Sequence, residues 1–299
     1  MTPASRPPMK LRSPLFAPGD QSRKIDKAMA SAADAVILDL EDSVAAGRKE
    51  SARPIVADAV RAHRGRRILV RINARDTQWY LGDLAAIVQS NPDAILLPKC
   101  SGAGDLHALN HHMEALEVAA GLPVGGIGVV ALVTETAPSL FTLGEYAHLG
   151  NGGAAARLIA LGFGAEDISG DLGVPPRRAD GTYPAPILAA RAATLAAAAA
   201  CGVVAIDTPW PDFQDMAGLR ADAQNGVADG FAGKFLIHPA QIEITNDVFS
   251  PSPEQVLWAS RVRDAFAANP DAGVFALDGK MIDRPHFRLA NRILAAAGR

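Results

Sequence analysis

Acidic side chains gather just behind short apolar runs, and that placement is the first sign of chemistry in this chain. Asp39-Leu40-Glu41-Asp42 closes the run that starts at Ala35, Glu135 follows Ile127–Val133, Glu166-Asp167 follows Leu158–Phe163, and Asp207 follows Val203–Ile206. Arg71, Asn73 and Lys99 end other runs in the same way. Carboxylates brought to one place repel each other unless a positive charge sits among them. An oxygen-rich set with few nitrogen or sulfur ligands suits Mg²⁺, with Mn²⁺ as the alternative, rather than Zn²⁺. Glu135 and Asp167 form the best ligand pair, because each follows an apolar run and the two runs are neighbours. Any one of these acids would also serve as a helix cap; the set together with Arg71 points to a site. Lys99 reads as the partner in a structural ion pair.

Those residues need elements to hold them. Apolar runs recur at Leu15–Ala17, Ala35–Leu40, Ile68–Asn73, Ala94–Lys99, Ile127–Val133, Leu158–Phe163, Val203–Ile206 and Lys234–Ile237. Several are rich in Val and Ile and almost continuously apolar, as strands buried on both faces of a parallel sheet are. Between them, Asp20–Ala32, Gly82–Ser90, Asp105–Ala120, Pro186–Ala200 and Asp212–Ala228 carry apolar residues at helical spacing. Eight strand-helix units predict a closed TIM (β/α)₈ barrel over residues 1–248, with the strand-end acids at its mouth. Residues 249–299 read as a C-terminal helical lid extension: a Ser/Pro linker, a helix over Glu254–Ala268, a loop over Asn269–Asp278 and a last helix.

Composition narrows the function classes. The chain has 299 residues, a formal charge of −3 and 49% hydrophobic residues, enough apolar material for one large core. Lys and Arg are dispersed, which argues against nucleic acid as a partner. Two cysteines, Cys100 and Cys201, make no disulfide framework. With no apolar leader and no spanning segment in view, a cytoplasmic enzyme without a membrane partner is expected. Gly162-Phe163-Gly164 fails as a dinucleotide fingerprint because Asp167 stands at the third glycine position. His107 and His111 have metal-type i,i+4 spacing but read as a solvent-facing cluster, and His238 before Pro239 reads as a structural hydrogen-bonding residue.

Short motifs then appear in a fixed order: Arg12-Ser13-Pro14-Leu15-Phe16-Ala17-Pro18-Gly19, Leu38-Asp39-Leu40-Glu41-Asp42-Ser43-Val44, Val70-Arg71-Ile72-Asn73, Glu135-Thr136-Ala137, Gly164-Ala165-Glu166-Asp167, Ile237-His238-Pro239-Ala240-Gln241 and Asp278-Gly279-Lys280-Met281-Ile282-Asp283-Arg284-Pro285. From about Arg12 to Pro285 the chain resembles the citrate lyase β-subunit-like (CitE-like) branch of the HpcH/HpaI aldolase superfamily. The resemblance implies a barrel with a C-terminal lid, assembled as a homotrimer or hexamer. It implies Mg²⁺ on Glu135 and Asp167, and Arg71, Glu41, Asp42, Gly164 and Glu166 around the substrate, with Arg71 and Glu41 catalytic. Asp283 matches a lid aspartate that, in relatives acting on CoA thioesters, completes a neighbouring subunit's site; an N-cap for the last helix is its other reading.

The expected reaction is cleavage of a 3-hydroxyacyl thioester into an acyl thioester and a 2-oxo acid. Its carrier is CoA or acyl-carrier protein, whose phosphates Lys10, Arg12, Lys24 and Lys27 are candidates to contact. An aldolase acting on free hydroxy-oxo acids and a non-catalytic subunit of a lyase complex are the alternatives. Two departures from the family pattern, Ile168-Ser169-Gly170-Asp171 and the insertion Asn151-Gly152-Gly153, bear on the oxo acid rather than on the reaction type.

Overall fold

Eight short strands follow one another around a single parallel sheet in chain order. They are β1 (Pro14–Pro18), β2 (Ala35–Asp39), β3 (Ile68–Arg71), β4 (Ala94–Leu97), β5 (Gly128–Leu132), β6 (Leu158–Gly162), β7 (Val204–Asp207) and β8 (Gly233–Lys234). The structure is a computed structural model and describes residues 9–150, 152–269 and 273–299. Asn151 of the insertion and the first eight residues lie outside that description.

The ring closes next to β8. Leu15 pairs with Leu236, the Phe16 N–H donates to the Leu236 carbonyl at 2.8 Å, and the Leu236 N–H donates to the Pro14 carbonyl at 2.9 Å. This is the TIM barrel that the spacing predicts. β2, β4 and β5 are buried along their whole length, as strands covered on both faces must be. Ala35, Ile37, Leu69, Leu96, Val130, Leu132 and Phe235 meet in the barrel interior.

Strand period and register deliver the first polar pair. Ala35 and Ile37 face the interior, so Asp39 projects to the same side two residues on; Leu69 does the same for Arg71. The β2–β3 register sets Asp39 directly beside Arg71.

All five helices expected from periodicity lie close to their predicted bounds, at Ser22–Met29, Tyr80–Val88, Ala103–Ala119, Ala185–Cys201 and Met216–Asp229. A helix at Lys49–Ala62 escapes the periodicity argument because Pro54 lies inside it. Proline there removes one internal hydrogen bond, since only the first turn has donors to spare. Between β5 and β6 the covering helix is replaced by short turns, Pro138–Phe141 and Leu143–His148, and a four-residue helix, Ala154–Arg157.

The chain divides into two compact units between Asn246 and Asp247. In the second, the helix Pro253–Ala268 packs with the helix Arg284–Ala296 through Ala259, Val262, Phe266, Ala290 and Leu294. The segment expected as a loop holds β9 (Val274–Leu277), which pairs with β10 (Lys280–Asp283) just beyond it in an antiparallel hairpin. Asp278 and Gly279 join its strands with φ of 52° and 72°, the positive pair of a two-residue hairpin turn. Among the described residues no helix is long and apolar enough to cross a membrane.

Candidate active site

The mouth of the barrel, at the carboxyl ends of the strands, encloses a cavity of about 430 Å³. Arg71, Asp42, Glu135, Gly164, Glu166 and Asp167 are on its wall. Sequence neighbours, strand ends and pleat have thus brought six of the expected residues to one place.

Arg71 is the most constrained of them. Its guanidinium takes both oxygens of Asp39, Nε to Oδ1 and Nη2 to Oδ2, each at 2.7 Å. Nη1 lies 3.1 Å from Glu41 and 3.5 Å from Asp42, and the plane rides 4.7 Å over the Phe16 ring. Burial works against its charge, but Asp39, with Glu41 and Glu135 behind it, outweighs that and holds Arg71 protonated above its usual range. A fork fixed on two sides presents its remaining edge at low entropic cost.

Glu135 is buried, and its Oε2 accepts the backbone N–H of Lys99 at 2.6 Å. Burial, then the nearby charges of Asp167 and Glu41, push its carboxyl well above the usual range. Gly164 is what lets it sit there: a Cβ on that glycine would fall 2.7 Å from Glu135 Cγ. Asp167, in the first turn of the helix Ala165–Leu172, keeps a third of its side chain exposed and lies 3.6 Å from Lys99 Nζ.

Lys99 is more central than a peripheral ion pair. Its ammonium binds Glu41 directly and stands 3.7 Å from Asp42, so it faces acids from two different strand ends. Burial opposes its charge, and the bond to Glu41 raises its pKa above the usual lysine range. It does this from a left-handed backbone, φ 49°. Glu41 itself is pushed up to about 7, first by burial and further by Asp42, against the pull of Arg71 and Lys99. Its Oε2 is buried and accepts no hydrogen bond, with Arg71 Nη1 3.1 Å away as an ion-pair partner.

The remaining expectations sort by position. Glu166 is half-buried at the mouth, its pKa raised by burial despite Arg177. Asp207 turns away to the buried cations Arg191 (3.0 and 2.9 Å) and Lys234 (3.4 Å), a structural role. Asp171 accepts the Ala137 N–H and so ties the loop after Glu135 to the helix of Asp167. His238 caps the turn that follows it, accepting the Ala240 N–H at 3.2 Å, and His107 and His111 are exposed.

Arg12 corrects an expectation. It precedes β1, at the opposite end of the barrel, and its guanidinium is engaged by Asp34 at 2.7 and 2.8 Å, which does not fit a contact with a carrier's phosphates at the mouth. Lys27 is exposed in the last turn of the helix Ser22–Met29, where its charge complements the helix C-terminus. Asp283 stands at the start of the helix Arg284–Ala296, 2.6 Å from His286 Nδ1, in a capping arrangement. Asp39, which grips Arg71, and Phe16 beneath it stand in motifs the sequence analysis names, but it gives neither a role at the site. The signal for Asp39 was an acid ending a strand beside a strand that ends in arginine.

The sequence profile of the HpcH/HpaI aldolase/citrate lyase family matches residues 12–239. The chain belongs to that family. Its relatives there include the (3S)-malyl-CoA thioesterase of Cereibacter sphaeroides, 38% identical over 295 residues that cover 96% of this chain and 94% of the relative. The citrate lyase subunit beta of Escherichia coli is 35% identical, covering 96% of this chain and 93% of the relative. Among solved structures of HpcH/HpaI relatives, the CitE protein of Mycobacterium tuberculosis in complex with magnesium, acetoacetate and coenzyme A superposes with a TM-score of 0.75 at 33% identity. That match covers 96% of this chain and 98% of the other.

The electrostatics make a prediction for the metal-free protein. Glu41 holds its proton more tightly when folded than when unfolded, so its contribution to stability is full below its ordinary range and lost as pH rises through about 7. Glu135 acts in the same direction. In EDTA, Tm should therefore fall between pH 5 and 8. Glu41→Gln should flatten part of that slope; an unchanged slope in thermal melts would remove Glu41 from the account.

Proposed function

We propose that this chain is a Mg²⁺-dependent carbon–carbon lyase that cleaves a 3-hydroxyacyl thioester into an acyl thioester and a 2-oxo acid. The observation that carries the reading is the meeting of Glu135, Asp167 and the clamped Arg71 on one cavity wall. Relatives named as a citrate lyase subunit, and a related structure holding magnesium, a 3-oxo acid and coenzyme A, support it.

The donor set fits a hard divalent ion. Among the described residues no three His, Cys, Asp or Glu side chains form a ready-made cage. Mg²⁺ commonly takes only one or two carboxylates and completes its shell from water and substrate. Glu135 and Asp167 would hold it, with the Glu41 carboxyl close enough to act electrostatically on Glu135. Bound there, the ion supplies Lewis-acid polarisation of the oxo-acid oxygens.

The chain's own groups do the rest. Arg71 orients and stabilises the negative oxygen of the acyl half as the carbon–carbon bond breaks, its fork aimed by Asp39 rather than by the substrate. Glu41 and Asp42 keep that fork from turning. Asp283 is proposed to hand a proton to the enolate carbon. Asp283→Asn should lower turnover by roughly 10²–10⁴-fold while oxo-acid binding persists. Unchanged turnover would leave Asp283 a helix cap only.

The relatives named as thioesterases favour one second reading, hydrolysis of the thioester without cleavage of the carbon skeleton. Product analysis separates the two. Incubation with malyl-CoA or citramalyl-CoA and Mg²⁺ should release a 2-oxo acid together with an acyl-CoA. Free thiol with an intact hydroxy acid would establish hydrolysis instead.

A further inference from the structure

The barrel carries a second and larger cavity, about 780 Å³, at the end opposite the mouth. It opens where β3 to β7 begin, and its wall includes His63, Arg64, Arg66, Arg67 and a single acid, Asp93. In a chain whose net charge is −3, this concentration of guanidinium groups runs against the overall balance.

The countercharge is incomplete. Arg67 is paired with Asp93 at 3.1 Å, and Asp93 also accepts the Ile68 N–H. Arg66 donates from Nη2 to the Ala33 carbonyl at 2.9 Å, a neutral acceptor, while its Nε is buried and makes no hydrogen bond. Arg64 is exposed and has no ion-pair partner among the described residues. Two guanidinium charges therefore face one cavity without a carboxylate of their own. Met9, Leu158 and Val203 supply an apolar side to the same space.

We propose that this floor cavity binds a small anion carrying at least two negative charges, of the phosphate or carboxylate class. Its size is that of small-molecule sites, and planar guanidinium forks match both oxyanion types. The site is distinct from the mouth: its arginines lie at the start of β3 or just before it, whereas Arg71 ends that strand.

Calorimetric titration in magnesium-free, low-salt buffer tests this, with pyrophosphate in one arm and propane-1,2,3-tricarboxylate in the other. At least one anion should bind with Kd below about 1 mM, and the stronger arm identifies the class. Arg64→Gln and Arg66→Gln should each weaken it by roughly tenfold while thioester cleavage stays at the wild-type rate. Arg64 is exposed, so its variant remains informative even if Arg66→Gln folds poorly. A mouth variant, Arg71→Gln, verified as folded by circular dichroism, should leave the affinity untouched. No binding of either anion, affinity indifferent to Arg64→Gln, or affinity lost in Arg71→Gln would each overturn the proposal.

Discussion

Asp167→Asn should abolish Mg²⁺-dependent cleavage and leave the barrel folded. The side chain is one-third exposed in the first helical turn, so little packing is lost, and asparagine keeps its size. What disappears is one of the two proposed negative ligands in a site that already holds Lys99. Losing even an outer partner of a metal costs 10–100-fold in affinity, so a direct ligand should cost at least about 100-fold. Titration with Mg²⁺, or with Mn²⁺ followed by its paramagnetic signal, reads this without reference to turnover. Wild-type metal affinity in the variant would rule Asp167 out as a ligand.

Arg71→Lys should lower turnover by about 10²–10³-fold, as loss of one charge-stabilising donor does in other oxyanion sites. Lysine keeps the charge but has no fork, so it cannot take both Asp39 oxygens and still present an edge to the cavity. The loss should fall on kcat more than on KM, and Mg²⁺ affinity should be unaffected. A variant with near-normal kcat would mean that Arg71 only neutralises Asp39. Arg71→Met should be worse for a different reason: it leaves the buried Asp39 carboxylate without its cation, held only by the Glu41 and Ser43 N–H groups, at a cost of about 3–5 kcal/mol in stability, visible as a fall in Tm.

Much of this architecture was legible because barrel strands advertise themselves. Buried parallel strands such as Ala94–Leu97 are short, apolar and followed by their polar ends, so counting runs also locates the mouth. What was hidden is hidden for physical reasons. The helix Lys49–Ala62 presents a proline and a polar first turn, and its identity comes from packing rather than from propensity. The hairpin at Asp278-Gly279 had its turn written in sequence, but Val274–Leu277 and Lys280–Asp283 are too short for alternation to stand out. In the site, Glu135, Asp167 and Arg71 could be read one strand at a time. The grip of Asp39 on Arg71 depends on register between strands, and the placement of Lys99 on its backbone geometry; neither is a property of a local stretch. Arg12 misled because a basic residue in a shared motif says nothing about which end of the barrel it occupies.

The left-handed backbone of Lys99 sets evolution a conflict. Glycine would relieve a conformational cost of about 1–2 kcal/mol at that position, yet it would strip the ammonium from Glu41. Selection for heat resistance therefore pulls this position in two directions, towards glycine for the backbone and towards lysine for the ion pairs with the acids around it.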